Sequence, residues 1–178
     1  MVNADLQEEK NRFEALFQFA SMGILVADAK AEIVLANNFL LRLFGYDNSD
    51  ELRGKSIENL IPKRFHTNHV HQRNHYIENP HPRPMGAGKD LFAVRKDGTE
   101  FPVEISLSNF KTGLDSYTIA FIIDITLRKE SEKSILLQKE QLTDINKKVE
   151  ELNDELEAKV ELRTKQLQEI LKELEVSR

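Results

Sequence analysis

The sequence contains no cysteine and no tryptophan, and its chain breakers are confined to one part of the chain. The lack of cysteine excludes disulfides, thiolate metal ligands and cysteine nucleophiles. All seven glycines lie at or before Gly113, and all five prolines lie at or before Pro102. No apolar run approaches the roughly 20 residues that a membrane-spanning helix needs. The polar N-terminus shows no secretory signal, so we expect a cytoplasmic protein without membrane insertion.

The charge balance argues against a general nucleic-acid binder. The 178 residues carry 25 Lys and Arg against 30 Asp and Glu, which gives a net charge of −5. A nucleic-acid-binding protein would instead show a basic face or domain. The charged fraction of 31% exceeds the usual value of roughly a quarter. The length allows one compact domain plus an extension, and we expect the extension to be the most highly charged part.

Residues 129–178 contain no glycine, proline or aromatic residue and are rich in Leu, Glu, Lys and Gln. That composition predicts one continuous helix. Its apolar residues recur in heptads, which favours a parallel coiled coil with a second copy of the chain as the partner. The predicted seam comprises Ile135, Leu142, Ile145, Val149, Leu152, Leu156, Val160, Leu167, Ile170 and Leu174.

The heptad repeat is interrupted by a step of four residues between Leu156 and Val160. Such a stutter locally unwinds the supercoil. After it, Arg163 falls at a core position of the seam, which weakens the pairing there.

The rest of the chain predicts an α+β domain preceded by a helix. Residues 6–20 have the spacing of an amphipathic helix, which either adds to the dimer contact or covers its own sheet. Short helical pieces fall between residues 38 and 78, and the predicted strands are residues 23–29, 32–37, 91–95, 101–108 and 117–125. We therefore divide the chain into an N-terminal helix (1–21), an antiparallel sheet with helices on one face (22–127) and a coiled-coil helix (128–178).

These elements resemble, in their order and in several motifs, a PAS sensor domain. The resemblance implies the PAS fold, a five-stranded antiparallel sheet with short helices on one face. One departure is Ala31, where the family often has glycine in the first hairpin turn. The motifs are Ile24–Val26 with Asp28, Ile33–Leu35 with Ala36-Asn37-Asn38, Phe44-Gly45-Tyr46 with Glu51-Leu52 and Gly54-Lys55, Arg95 to Ser106, and Asp124-Ile125-Thr126 with Arg128.

The tail is similar to the coiled coil that precedes the phosphorylated histidine of many bacterial sensor histidine kinases. The similarity lies in Lys159-Val160-Glu161, Arg163-Thr164 and Leu167. No histidine follows His81, and no glycine-rich nucleotide-binding segment is present, so we expect no enzyme activity in this piece. The resemblance implies a sensing and relay module of a two-component histidine kinase, whose downstream kinase domains are its partners.

A ligand pocket is expected between the sheet and the short helices. The residues proposed to line it are also consistent with an ordinary hydrophobic core. They are Phe39, Leu43, Leu60, Met85, Leu91, Ile105 and Ile119. A flavin photoadduct needs a cysteine and is excluded. We expect no cofactor, and the alternatives that the sequence leaves open are flavin bound without an adduct and a small apolar or acidic ligand.

Haem is the alternative cofactor that the resemblance raises. In the oxygen-sensing haem kinases of the family one histidine holds the iron, and the corresponding position here is His69. The arginine that faces bound oxygen in those proteins corresponds to Lys89, which lacks the guanidinium fork. The five histidines do not predict a zinc site, because their pairs start on different helix faces and lack further ligands.

Asp124 and Thr126 stand where the last strand ends and the long helix begins, and both are favourable helix N-cap residues. They either cap the helix only, or also couple a shift of the sheet to the coiled coil. The alternatives are therefore a ligand-driven relay, a haem sensor through His69, and a dimerisation scaffold without a ligand.

Overall fold

The fold is described from a computed structural model, which covers the backbone of residues 2–78, 83–85 and 90–176 and the side chains of residues 5–73 and 90–172. The chain divides into two units, Met1–Lys129 and Glu130–Arg178. The helices are α1 (Val2–Gln18), α2 (Asn38–Phe44), α3 (His66–Glu78) and α4 (Thr126–Val176), with three 3₁₀ turns at Ser49–Glu51, Ile57–Leu60 and Lys63–Phe65. The strands are β1 (Gly23–Ala27), β2 (Ile33–Ala36), β3 (Arg83–Met85), β4 (Leu91–Val94), β5 (Glu100–Thr112) and β6 (Asp115–Asp124).

The strands form one antiparallel sheet in the order β2-β1-β6-β5, with β3 and β4 both paired to β5. β3 pairs with residues 105–107 of β5 and β4 with residues 100–103, so the two short strands share one edge position. The sheet therefore has the five strand positions of the predicted PAS fold, with the edge position divided in two. The central pair, β5 and β6, runs in register from Val103 opposite Asp124 to Thr112 opposite Asp115.

Local sequence signals account for the shortest elements. α2 begins after Asn37, whose side chain accepts from the Leu40 N–H, and ends at Gly45 in the left-handed conformation with φ 77°. These are the favoured residues for the two ends of a helix. The Asp97-Gly98 pair turns the chain between β4 and β5, where Gly98 has φ 88°.

The turn between β1 and β2 holds the departure from the family pattern. Ala31 adopts φ 64°, the left-handed conformation that favours glycine. Its side chain is only 3% exposed. The turn therefore keeps a backbone that favours glycine while adding a methyl group to the interior.

The core lies between the sheet and the short helices. It includes Leu25, Ile33, Leu40, Phe44 and Val103, all at most 4% exposed. The alternation predicted for β5 is observed, since Phe101 and Val103 are buried whereas Glu104 and Ser106 are exposed. The face of β5 toward the helices is thus the apolar one.

Asn37 is the one fully buried polar side chain among the described residues, and all of its amide is used. Its Oδ1 accepts from the N–H groups of Ile24 (2.9 Å) and Leu40 (3.0 Å). Its Nδ2 donates to the carbonyls of Phe17 and Met22, both at 3.0 Å. One side chain therefore joins the end of α1, the start of β1 and the start of α2.

The second unit consists of the helix continuing from Glu130. Lys and Asp or Glu pair four residues apart along it, for example Lys148 with Asp144 and Lys165 with Glu161. Such pairs support an exposed helix. Among the helices that the structure describes, none combines the length and the low polarity needed to cross a membrane.

The Asn37→Asp variant is expected to lose about 3 kcal/mol or more of unfolding free energy, because the new carboxylate oxygen would face the carbonyls of Phe17 and Met22 without a donor. Urea unfolding measures the loss. The matched control is Asn38→Asp, because Asn38 is exposed at the first turn of α2, where a negative charge is tolerated. Equal stability of the two variants would contradict the role given to Asn37.

Candidate functional site

A cavity of about 110 Å³ lies between the sheet and the elements packed on it. Its sheet side is formed by small and branched apolar residues, and its other side by α2, the second 3₁₀ turn and α3. The sheet contributes alternate residues of the central strands, such as Leu25 and Ala27 from β1 and Ala120 and Ile122 from β6. Alternate residues of a strand share one face, so the cavity lies against one face of the sheet.

A polar cluster stands at the α3 side of the cavity. It consists of Glu58 on the second 3₁₀ turn with His69 and Arg73 on α3, and the last two line the cavity. Glu58 Oε1 lies 3.3 Å from His69 Nδ1 and 2.5 Å from Arg73 Nη1. The three side chains are only 12%, 13% and 22% exposed, respectively. A buried carboxylate paired in this way is held in one position.

Burial and hydrogen bonding set the charges in this cluster. Burial lowers the pKa of His69, against the opposing hydrogen bond and charge of Glu58. Burial alone would raise the pKa of Glu58, but hydrogen bonds from Ser56 and its own backbone, with the charge of Arg73, lower it overall. At pH 7 the cluster therefore holds a neutral imidazole beside an ion pair.

The structure places the predicted pocket residues in three groups. Leu60 and Ile105 line the cavity, whereas Phe39, Leu43, Leu91 and Ile119 are not among the residues that line it. The side chain of Met85 lies outside the described residues. Whether Leu60 and Ile105 bind a ligand stays a prediction.

The four predicted residues that do not line the cavity have other surroundings in the structure. Ile119 alternates with Thr118 and Ala120, which do line the cavity, so its side chain lies on the other face of the sheet. Leu43 and Leu91 pack against the hydrophobic core. Phe39 is half-buried under the guanidinium of Arg42, 5.9 Å from its ring centroid.

The second candidate site is the junction of β6 and α4. Asp124 Oδ1 accepts from the Thr126 N–H at 2.8 Å and from the Thr126 hydroxyl at 2.5 Å. Asp124 Oδ2 accepts from Arg95 Nη2 at 3.1 Å, and Arg95 Nη1 donates to the carbonyl of Leu43 at the end of α2. Burial opposes ionisation of Asp124, but the hydrogen bonds from Thr126 and Arg95 lower its pKa overall. The start of α4 is thereby hydrogen-bonded, through Arg95, to the β4–β5 hairpin and to α2.

Sequence reasoning missed Glu58, Arg73 and Arg95 as members of these sites. Arg73 had a usable signal, because it follows His69 by four residues on the same helix face. Glu58 and Arg95 had none, since their partners are 11 to 52 residues away in the chain. In the part of the chain that the structure describes, no group of three or more His, Cys, Asp or Glu is placed to hold a metal ion.

Haem does not fit the cavity as it stands. Protein pockets for ligands of drug size are about 300–1,000 Å³, and an engineered cavity of about 150 Å³ binds benzene or xenon. The cavity here is smaller than either, and a porphyrin is several times larger than benzene. The helix that carries His69, α3, forms part of the cavity wall and would have to move away to admit the macrocycle.

The expected absorption spectrum of protein expressed with a haem precursor therefore has no Soret band, because the cavity is too small for a porphyrin. The spectrum is recorded beside that of His69→Ala prepared in the same way. A Soret band that is present in the unmodified chain and absent from the variant would contradict this expectation and make His69 an axial ligand.

Comparison with known proteins agrees with the observed fold. Residues 21–127 match the PAS domain family. Among curated proteins, the chain is similar to the sensor protein FixL of Bradyrhizobium diazoefficiens, with 23% identity over 131 residues that cover 74% of this chain and 26% of FixL. It is also similar to the oxygen sensor protein DosP of Escherichia coli, with 25% identity over 140 residues that cover 77% of this chain and 17% of DosP. The chain thus corresponds to a small part of each relative.

Solved structures show the same likeness. The PAS domain of an HTR-like protein from Haloarcula marismortui superposes with a TM-score of 0.58 and 25% identity, covering 69% of this chain and 97% of that one. A PAS domain from a two-component sensor histidine kinase shares the fold at 14% identity, with a TM-score of 0.56 over 66% of this chain and 97% of that one. The family match extends over more than half of the sequence, and the chain therefore belongs to the PAS domain family.

Proposed function

We propose that the chain is the sensing and relay module of a two-component sensor histidine kinase. A ligand in the cavity changes the sheet, and the change passes through Asp124 and Thr126 to a parallel, dimeric coiled coil. The observation that carries the proposal is the hydrogen-bonded junction, in which Asp124 holds the first turn of α4 and is itself held by Arg95. The kinase context is supported by the similarity to FixL, which is a sensor protein.

The cavity and the junction share a strand. Thr118, Ala120 and Ile122 of β6 line the cavity, and β6 ends at Asp124 with no linker before α4 begins at Thr126. The Ile125 N–H also donates to the Pro102 carbonyl at 3.1 Å, so the junction is fixed to β5. A displacement of β6 by a ligand is therefore not absorbed by a flexible segment.

The apolar stripe of α4 supports the dimer. In a single chain its side chains are about half exposed or more, from 48% for Val149 to 64% for Ile135. Burying such a stripe against a second copy removes apolar surface from water. The side chain of Leu174 lies outside the described residues, and the other nine predicted seam residues are all exposed. A scaffold without a ligand would use the same seam, so a ligand-dependent change in the coil separates the two functions.

Cross-linking tests the parallel seam directly, because the chain has no native cysteine. Leu152→Cys, at a core position, is expected to form a disulfide-linked dimer under mild oxidation, since a parallel register brings the two copies of the residue together. The control is Asp154→Cys, two residues further on and on the outer face of the predicted coil. Non-reducing electrophoresis measures the dimer fraction, and equal cross-linking of both variants would contradict the seam.

Asp124→Asn is expected to destabilise the PAS domain by about 1–3 kcal/mol, because the Arg95 guanidinium loses its charged acceptor at a partly buried site. The control is Glu104→Gln, which removes an exposed ion pair with Arg128 and is expected to cost less than about 0.5 kcal/mol. Urea unfolding followed through the amide NMR signals of the sheet measures both. An equal cost for the two variants would show that the Asp124 contact is no stronger than a surface pair.

The same junction is tested for signalling in the full-length parent. Asp124→Ala combined with Thr126→Ala is expected to make kinase output independent of the signal while the Glu104→Gln control stays regulated. Unchanged regulation in the double variant would leave Asp124 and Thr126 as a helix cap only.

A further inference from the structure

The cavity has the size of a very small organic molecule. Its volume of about 110 Å³ is below the roughly 150 Å³ that accommodates benzene, so it suits a ligand of about four to six non-hydrogen atoms. Much of the wall is apolar, with Ala27, Ala93, Leu107 and Ala120 among the lining residues. The body of such a ligand is therefore a short carbon chain.

The side chain of Arg73, at the cavity wall, has a donor without a hydrogen-bond acceptor. Arg73 lines the cavity, and its buried Nε makes no hydrogen bond to the described residues. A buried N–H group without a partner is rare in folded proteins and calls for an explanation, such as a bound molecule. Arg73 Nη1 already donates to Glu58 Oε1, so the guanidinium is held at the cavity wall. Its Nε is buried, and a ligand reaches it only if the neighbouring part of the wall moves.

A carboxylate is the acceptor that matches this arrangement. The Nε–H and the neighbouring Nη2–H of arginine form a planar edge that binds the two oxygens of a carboxylate together. Asp28, a carboxylate among the cavity-lining residues, does not pair with Arg73. Its Oδ1 instead accepts from the N–H groups of Lys30 and Glu32. Thr118 accepts from Asn109 Nδ2 at 3.2 Å.

We propose that the cavity binds a short-chain monocarboxylate, with its carboxylate on Arg73 and its carbon chain against the alanines and leucine of the sheet side. This inference rests on the proposed sensing role of the cavity and names the class of its ligand. The cavity volume restricts the chain to about two to four carbons.

The test uses the full chain and sodium propionate, with sodium chloride added to keep the ionic strength constant. Binding is followed by calorimetry and by the amide NMR shifts of Ala27 and Ala120. The expected result is saturable binding of propionate that exceeds binding of its neutral analogue propionamide by about tenfold. Octanoate is expected not to bind in the cavity, because it exceeds the volume.

Two variants and a control place the carboxylate. Arg73→Gln and Arg73→Lys are each expected to weaken propionate binding at least about tenfold, and the lysine variant keeps a positive charge beside Glu58 if the glutamine variant does not fold. The control is Arg53→Gln, an exposed residue that does not line the cavity. Absence of propionate binding, equal binding of propionamide, or unaltered binding by a folded Arg73 variant would each overturn the inference.

A second readout separates this inference from the relay. Spin labels at Asp154→Cys, on the outer face of the predicted coil, report the distance between the two copies of α4 with and without propionate. Binding without a change in that distance would leave the ligand assignment standing and contradict the ligand-driven relay. Failure of propionate to bind would overturn the ligand assignment and leave the relay to be tested with another ligand.

Discussion

The arrangement of the PAS domain depends on the four hydrogen bonds of the Asn37 amide. A buried amide is costly unless every donor and acceptor is used, and Asn37 meets that condition with four backbone groups on three elements. No apolar residue can replace it, since the carbonyls of Phe17 and Met22 would lose their donor. The end of α1 is thereby fixed to the start of the sheet, and α2 begins directly after Asn37.

α2 lies between the hydrogen bonds of Asn37 and those of Arg95. It spans only seven residues, Asn38–Phe44. At its start stands Asn37, which holds the carbonyl of Phe17 on α1, and near its end the Leu43 carbonyl accepts from Arg95. Arg95 in turn donates to Asp124 at the root of α4. A short helix with hydrogen bonds at both ends thus lies between the contacts of α1 and those at the start of α4, and it is a candidate route for the proposed relay.

The sequence predicted elements well where the signal is local. Gly45 is a local signal that ends a helix, and α2 ends there, while the alternation predicted for β5 is plain in the sequence. Ile119 was predicted to line the cavity, but its side chain lies on the other face of the sheet. β6 is apolar on both faces, so the sequence pattern does not show which face meets the cavity. The Glu58, His69 and Arg73 cluster depends on contacts across 11 and 15 residues, and no local pattern encodes such a contact.

The cavity itself follows from residue size rather than from any binding motif. Ala27, Ala31, Ala93 and Ala120 all line it, and a wall built from the smallest apolar side chains leaves room that leucine or isoleucine would fill. Ala31 contributes its methyl group from a left-handed backbone that favours glycine, so the wall is closed there by the smallest side chain that has a Cβ. The void lacks packing, and the buried Nε of Arg73, a residue of the cavity wall, has no acceptor. A small molecule that supplies both at once would stabilise the liganded domain, and the proposed relay has β6 carry the effect to Asp124.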